Sequence, residues 1–204
     1  MAVVAFFVST ILSVVVYRFV PVYVTPLMVI RCVGQVIDGH SPRVEHKWVR
    51  LGDISPSMPV AVMGSEDARF LLHHGFDFRQ IEQAAKHNAS GGRKVGASTI
   101  SQQTAKNVFL FPDRTWLRKG LEAYFTVLIE LMWSKQRIME VYLNSIETGD
   151  GIYGVEAVAR LHFGKSASEL TRSECALIAA TLPNPRTYSS LEPSKYVRSR
   201  RARI

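Results

Sequence analysis

The chain has 204 residues, 47% hydrophobic and 21% charged, which excludes general disorder and suffices for one domain with its own core. Lys and Arg outnumber Asp and Glu by 25 to 17, a net charge of +8, which favours an anionic partner: nucleic acid, anionic lipid head groups or a phosphorylated substrate. Two cysteines, Cys32 and Cys175, without a C-x-x-C spacing exclude a disulfide framework and a cysteine-built zinc site.

The chain opens on an uncharged run over residues 2–17, AVVAFFVSTILSVVVY; Arg18 interrupts it, and residues 19–30 are again uncharged. A membrane span needs ~20 apolar residues, and residues 2–20 come close if Arg18 snorkels to an interface. A signal peptide fits less well, because no basic stretch precedes the run and no small-x-small cleavage site ends it. A buried core helix also fits less well, because the run is β-branched and apolar on every side. Residues 1–30 are therefore expected to be a membrane anchor and exit segment, and residues 31–204 the folded domain. Arg18 and Arg31 follow the span, so the positive-inside rule places the domain in the cytoplasm. Charge alone leaves the orientation open.

The remainder reads mainly α. Asp77-x-x-Gln80 predicts a helix over 78–87 and Thr171-x-x-Glu174 one over Arg172–Thr181, both of capping-box type. Asp113 is placed to cap a long helix carrying Leu117, Leu121, Phe125, Leu128 and Met132, and Ser134 to start one carrying Ile138, Val141 and Tyr142. Leu182-Pro183-Asn184-Pro185 stops the last long helix. No repeat, low-complexity tract or sustained strand alternation is present. After Ser194 come Lys195, Arg198, Arg200, Arg201 and Arg203 without an acid. This tail reads as a basic helix cut off by the chain end and suited to anionic lipid.

Three clusters carry candidate chemistry. Glu66 and Asp67 stand side by side after an apolar helix; adjacent helical acids point apart, so one can face a cleft and the other the scaffold. Burial would make such a glutamate a general base; two solvated helix-end acids are the plain alternative. His73 and His74 lack a third ligand at useful spacing, so no metal site is expected there. The second cluster is Ser98, Thr99, Gln102, Gln103 and Lys106, preceded by a basic glycine-rich loop with Arg93 and Lys94. Thr99-x-x-Gln102 is a capping box on one reading. On the other, hydroxyls, amides and a helix N-terminus converge on sugar hydroxyls or phosphate oxygens. The third is Arg114, Arg118, Lys119 and Glu122, either a surface ion-pair ladder or an anion clamp beside a positioned carboxylate. Taken with an anchor, two glutamates and several cations suit a reaction on a phosphorylated lipid. The cations neutralise a departing pyrophosphate, and a carboxylate takes the proton of an attacking hydroxyl.

These residues carry a family resemblance. Glu66-Asp67-x-x-Phe70-x-x-His73-x-Gly75-Phe76-Asp77, Gly96-x-Ser98-Thr99-Ile100-x-Gln102-Gln103 with Lys106-Asn107, and Arg118-Lys119-x-x-Glu122 follow in order. Lys135-x-x-Ile138-x-Glu140-x-Tyr142-Leu143-Asn144 and the stretch from Tyr153-Gly154 to Leu182-Pro183-Asn184-Pro185 complete the set. Over residues 40–204 the chain resembles the monofunctional peptidoglycan glycosyltransferases, stand-alone relatives of the glycosyltransferase domain of class A penicillin-binding proteins.

The resemblance implies a lysozyme-like, mainly α domain behind a single transmembrane helix, in the bacterial inner membrane with the catalytic domain in the periplasm. It implies polymerisation of lipid II onto a lipid-linked glycan chain, an inverting β-1,4 transfer with undecaprenyl pyrophosphate leaving. By motif position Glu66 is the general base and Glu122 the second catalytic carboxylate. Lys106, Arg114 and Lys119, helped by Arg118, hold pyrophosphate; Arg93 belongs to the mobile loop, and Ser98, Thr99, Gln102 and Gln103 line the cleft. No organic cofactor is implied, and Mg or Mn assistance is open, since no metal motif demonstrates it. Division or cell-wall synthesis proteins are candidate partners.

Ser145-Ile146-Glu147-Thr148 and Leu161-His162 depart from the common family pattern, at positions expected to lie outside the chemistry. No Ser-x-x-Lys transpeptidase motif follows. A lysozyme or lytic transglycosylase relative is the alternative, though a neutral glycan needs no cation cluster. A silent cell-wall scaffold predicts an eroded motif, and none is eroded. Nucleic-acid binding explains only the charge and leaves the anchor without a purpose.

Overall fold

The computed structural model describes residues 1–92, 95–113 and 115–204. It is mainly helical, as the sequence predicts. The helices are α1 (Ala2–Phe19), α2 (Pro26–Ile37), α3 (Ser57–Glu66), α4 (Phe78–Ala89), α5 (Ile100–Phe109), α6 (Trp116–Met132), α7 (Lys135–Ser145), α8 (Val155–Phe163), α9 (Arg172–Thr181) and α10 (Lys195–Arg201). One small sheet joins β1 (Glu45–His46), β2 (Glu147–Gly149) and β3 (Ile152–Tyr153) in the order β1-β3-β2, with β1 parallel and β2 antiparallel to β3. Strands of two or three residues are too short to show alternation in a sequence.

Side-chain caps define most helix starts. Ser134 accepts from Arg137 N, and Thr171 with Glu174 forms a complete reciprocal box. Asp77 caps α4 through Arg79 N and Gln80 N, but Gln80 Oε1 is buried without a hydrogen bond, so the reciprocal half is not made. The cap of α6 is Thr115, which accepts from Arg118 N, not Asp113. Both residue types cap well, and the helix begins at the second of the two.

Helix α5 is the centre of the domain. Its Ile100, Ala105 and Val108 are buried against Phe125 and Ile129 of α6 and Ile138, Val141 and Tyr142 of α7. Phe109 stacks on Phe125 with centroids 4.5 Å apart and planes 2° from parallel. On the other side α3 packs Met58, Ala61 and Val62 against Cys175, Ile178 and Ala179 of α9. Helix α10 covers α9, with Val197 buried against Leu177 and Ala180. The basic tail is thus docked on the domain by one face, with Lys195, Arg198 and Arg203 exposed.

Several motif residues are scaffold. Buried Asp67 accepts from Ile100 N at 3.0 Å and pairs with His73 Nε2 at 2.9 Å, tying the end of α3 to the start of α5. Asn144 exchanges hydrogen bonds with both backbone groups of Val49, each 2.9 Å, as a strand would. Lys135 pairs with Glu130 at 2.7 Å and lies 4.5 Å from the centre of the Phe70 ring. Gly154 starts α8 at φ +81°, where an added Cβ would stand 2.6 Å from Asn144 O.

Helix α1 has 18 residues, long and apolar enough to cross a membrane, with 6% of them buried. It lies along α6 and is tied there by polar contacts. Thr10 Oγ1 is 2.9 Å from Tyr124 Oη, Trp133 Nε1 donates to Val14 O, and Arg137 donates to Tyr17 O and Val20 O. After the short exit segment, α2 is capped by Thr25 with Pro26 in its first turn. It packs Leu27 and Met28 against Tyr153.

Candidate active site

Glu66 is the last residue of α3, where an apolar helix ends against α9. Its side chain is only 12% exposed, which sets it apart from a solvated helix-end acid. Three elements supply donors. Ser65 Oγ lies 2.9 Å from Oε1, Gln103 Nε2 of α5 donates to Oε2 at 3.1 Å, and Arg200 Nη2 of α10 lies 3.4 Å from Oε1. The same Arg200 nitrogen is 3.0 Å from Ser65 Oγ and 3.3 Å from Ser65 O. Gln103 is itself fixed by Tyr142, whose hydroxyl donates to Oε1 at 3.2 Å. Tyr142 is wholly buried, and burial, with Glu66 and Asp67 nearby, pushes its pKa well above the usual range, so it stays a neutral donor.

The second centre begins one turn further along α5. Lys106 follows Gln103 at i+3, about 4.5 Å along the helix axis. It lines a cavity of about 400 Å³ with Leu27 and Arg31 of α2, Asn107, Leu110, Phe111, Pro112, Asp113, Arg118 and Glu147 of β2. Lys106 is exposed to this opening, yet its surroundings depress its pKa. Loss of hydration is the largest cause, opposed by Glu122 and reinforced by Arg118 and Lys119. An anion entering the cavity relieves that stress.

Glu122 binds Arg118 Nη1 with one oxygen and Lys119 Nζ with the other, and its side chain is 4% exposed. The predicted ladder therefore exists, but it is buried on its acid side and Glu122 has no contact with Glu66. Removing one partner from such a pair leaves an uncompensated buried charge. Arg118 Nε and Asn107 Nδ2 are buried without hydrogen bonds, which leaves donors free beside the cavity.

The other sequence-predicted residues divide. Thr99 and Gln102 are buried parts of the α5 capping box: Thr99 Oγ1 accepts from Gln102 N, and Gln102 Oε1 accepts from Thr99 N. Thr99 also donates to Gly75 O at 2.6 Å. Ser98 is exposed in the segment before them, which has no regular secondary structure. Arg93 and Arg114, with Lys94 of the glycine-rich loop, lie outside the described residues. Among the described residues no group of three His, Cys, Asp or Glu side chains is arranged to hold a metal ion.

Two contributors were not legible as site residues. Arg200 stands in a run of cations that the sequence suits to lipid, but buried Val197, three residues before it on α10, and Ile204, past the helix end, both pack on the α9 side and turn it inward. Glu147, expected outside the chemistry, is brought by β2 into the cavity wall.

A family described as transglycosylase matches residues 33–204, and the chain belongs to it. It is 61% identical over 199 residues to a biosynthetic peptidoglycan transglycosylase of Bacteroides thetaiotaomicron, covering 98% of this chain and 80% of that one. The protein of the same description from Bdellovibrio bacteriovorus is 56% identical over 203 residues, covering 100% of this chain and 81% of the relative. That of Pseudomonas aeruginosa is 49% identical over 199 residues, covering 98% and 86%.

Proposed function

We propose that the protein polymerises lipid II into β-1,4-linked glycan strands of peptidoglycan, by inverting transfer from a lipid-linked glycan donor. The observation that carries this reading is the spacing along α5. A shielded carboxylate gripped through Gln103 lies one helical turn from a cavity of unsatisfied cationic and amide donors. The family and its biosynthetic relatives supply the glycan chemistry.

In the reaction the 4-hydroxyl of the acceptor sugar attacks the anomeric carbon of the donor. Glu66 accepts the hydroxyl proton at a carboxylate oxygen as the new C–O bond forms. The bond to the pyrophosphate breaks on the opposite face, and its electron pair leaves with the phosphate. Lys106, Arg118 and Lys119 meet the charge that develops there, at positions fixed before substrate arrives. Gln103 holds the carboxylate toward the acceptor, and Tyr142 keeps the amide from turning. Glu122 holds Arg118 and Lys119 in place, one on each oxygen, so it acts through the clamp.

Any Mg or Mn ion used by the reaction fits poorly as a protein-held group here. Both oxygens of Glu122 are taken by cations, and the cavity presents mainly donors. A glycan-cleaving enzyme would share the glutamate but has no use for that cation set.

We further propose that α1 crosses the inner membrane, with the catalytic domain on the periplasmic side where lipid-linked substrate is displayed. The length and apolar surface of α1 support the crossing, and its packing along α6 keeps the domain beside it. Exposed Trp116, Leu117, Val127 and Leu131 on α6 are suited to the bilayer interface. Reconstitution in vesicles with a protease added outside tests the orientation. Incubation with labelled lipid II tests the reaction: muramidase-sensitive polymer is expected, and shortening of preformed glycan without polymer would move the assignment to the lytic class.

A further inference from the structure

The wall of the cation cavity contains one pair that does not belong to the catalytic helices. Arg31 of α2 faces Glu147 of β2 across 3.4 Å, long for a bidentate pair. Arg31 Nε and Glu147 Oε1 are both buried and neither has a hydrogen bond. The Glu147 side chain is 10% exposed, and burial, against the pull of Arg31 and Arg186, raises its pKa above the usual carboxylate range. Tyr153 is the cross-strand neighbour of Glu147 in the β2–β3 register. Its hydroxyl is also buried without a partner. Leu27, one turn before Arg31 on the same face of α2, lines the same cavity and seats the helix beside Tyr153. A cation and a carboxylate at the opening, and a hydroxyl on the strand beside the carboxylate, thus each keep one buried polar atom without a hydrogen bond.

We infer that Arg31 is a reserve cation of the phosphate cavity: Glu147 holds it while the cavity is empty, and the phosphate of an arriving substrate takes it over. This rests on the reading of the cavity as the leaving-group site. The exchange needs no long movement, because both side chains already line the opening. Phosphate offers the guanidinium two charged oxygens in fork geometry, where Glu147 offers one loose contact. The free Tyr153 hydroxyl then donates to the carboxylate that Arg31 leaves, so the exchange does not strand a buried charge. The helix that follows the membrane span is thereby coupled to occupancy of the site.

The test is calorimetric titration of inorganic pyrophosphate into the full chain in detergent, with melting temperatures as a check on folding. A reserve cation gives the two partners opposite signs. Glu147→Gln releases Arg31 and should bind pyrophosphate about fivefold more tightly, while Arg31→Gln should bind about fivefold more weakly. The double variant should match Arg31→Gln, because Glu147 acts only through Arg31. If Glu147→Gln folds poorly, Glu147→Asp, which draws the carboxylate back by one methylene, should tighten binding in the same direction. Weaker or unchanged binding in the folded Glu147 variants would overturn the proposal and leave the pair as a simple strut. Should Lys106→Ala also bind as the wild type does, the leaving-group reading itself fails and takes this proposal with it.

Discussion

Arg200→Ala isolates the contact that the C-terminal helix makes with the proposed base. The guanidinium lies 3.4 Å from Glu66 Oε1 and also spans Ser65 O and Oγ at the end of α3. Unit charges at that distance attract by about 5 kcal/mol at an effective dielectric near 20. The two side chains are 24% and 12% exposed, so water and lost side-chain freedom reduce the net to about 1–2 kcal/mol. Ser65 cannot compensate fully, because its single hydroxyl proton is shared between Glu66 and Ala179 O. Since the contact orients the base rather than binding substrate, the loss should fall on kcat. Turnover of lipid II should drop roughly 5- to 30-fold with KM little changed. Arg200→Lys should recover part of it, keeping the charge but not the planar guanidinium that sets the position of Nη2. Initial rates over a range of lipid II concentrations measure both. Equal losses in Ala and Lys variants, matched by equal drops in melting temperature, would mean that Arg200 only fastens α10. An unchanged kcat in Arg200→Ala would refute the positioning argument.

Lys106→Ala should weaken engagement of the lipid-linked donor about tenfold, the scale of one charge-assisted contact; wild-type donor affinity in a competition assay would count against the clamp. Gly154→Ala should destabilise the fold by about 2–4 kcal/mol, from a strained positive φ and a Cβ pressed to 2.6 Å from Asn144 O. A melting curve like that of the wild type would refute it. Glu156 gives a pH signature. Burial opposes its ionisation, but Ala167 N–H, Arg160 and Lys47 outweigh that and hold its pKa below the usual value of 4.5. A depressed folded pKa stabilises above the unfolded value, and the gain is lost as pH falls through the folded one. Denaturant midpoints should therefore fall more steeply below about pH 4.5 in the wild type than in Glu156→Gln; parallel curves would contradict it.

Local signals read best. Ser134, Thr171 and Thr99 cap where the spacing places them, because capping needs only a hydroxyl three residues before an amide. The same local view misplaced the start of α6, where Asp113 and Thr115 both qualify and only the path into the helix decides. It also left Thr99 and Gln102 open between cap and cleft; the structure commits both to the cap, whereas Gln103 reaches Glu66. Adjacent Glu66 and Asp67 were expected to part, and they do: Asp67 goes to His73 and Ile100 N, Glu66 to Gln103 and Arg200. What no window of sequence carries is a meeting of distant elements. The approach of α10 to α3 and of β2 to α2 depends on packing over α9 and on a three-stranded sheet too short to predict. Arg200 and Glu147 therefore stayed hidden, the first in a run of cations and the second in a departure from the family pattern.

The most direct test of the account is polymerisation of labelled lipid II by the detergent-solubilised protein beside Glu66→Gln, with products sized before and after muramidase. The substitution keeps the shape and the contact with Ser65 but removes the proton acceptor. The account predicts muramidase-sensitive polymer from the wild type alone, with both proteins melting alike and binding lipid II to similar extents. Polymer from Glu66→Gln at the wild-type rate would contradict the assignment of Glu66 as the base on which the mechanism stands.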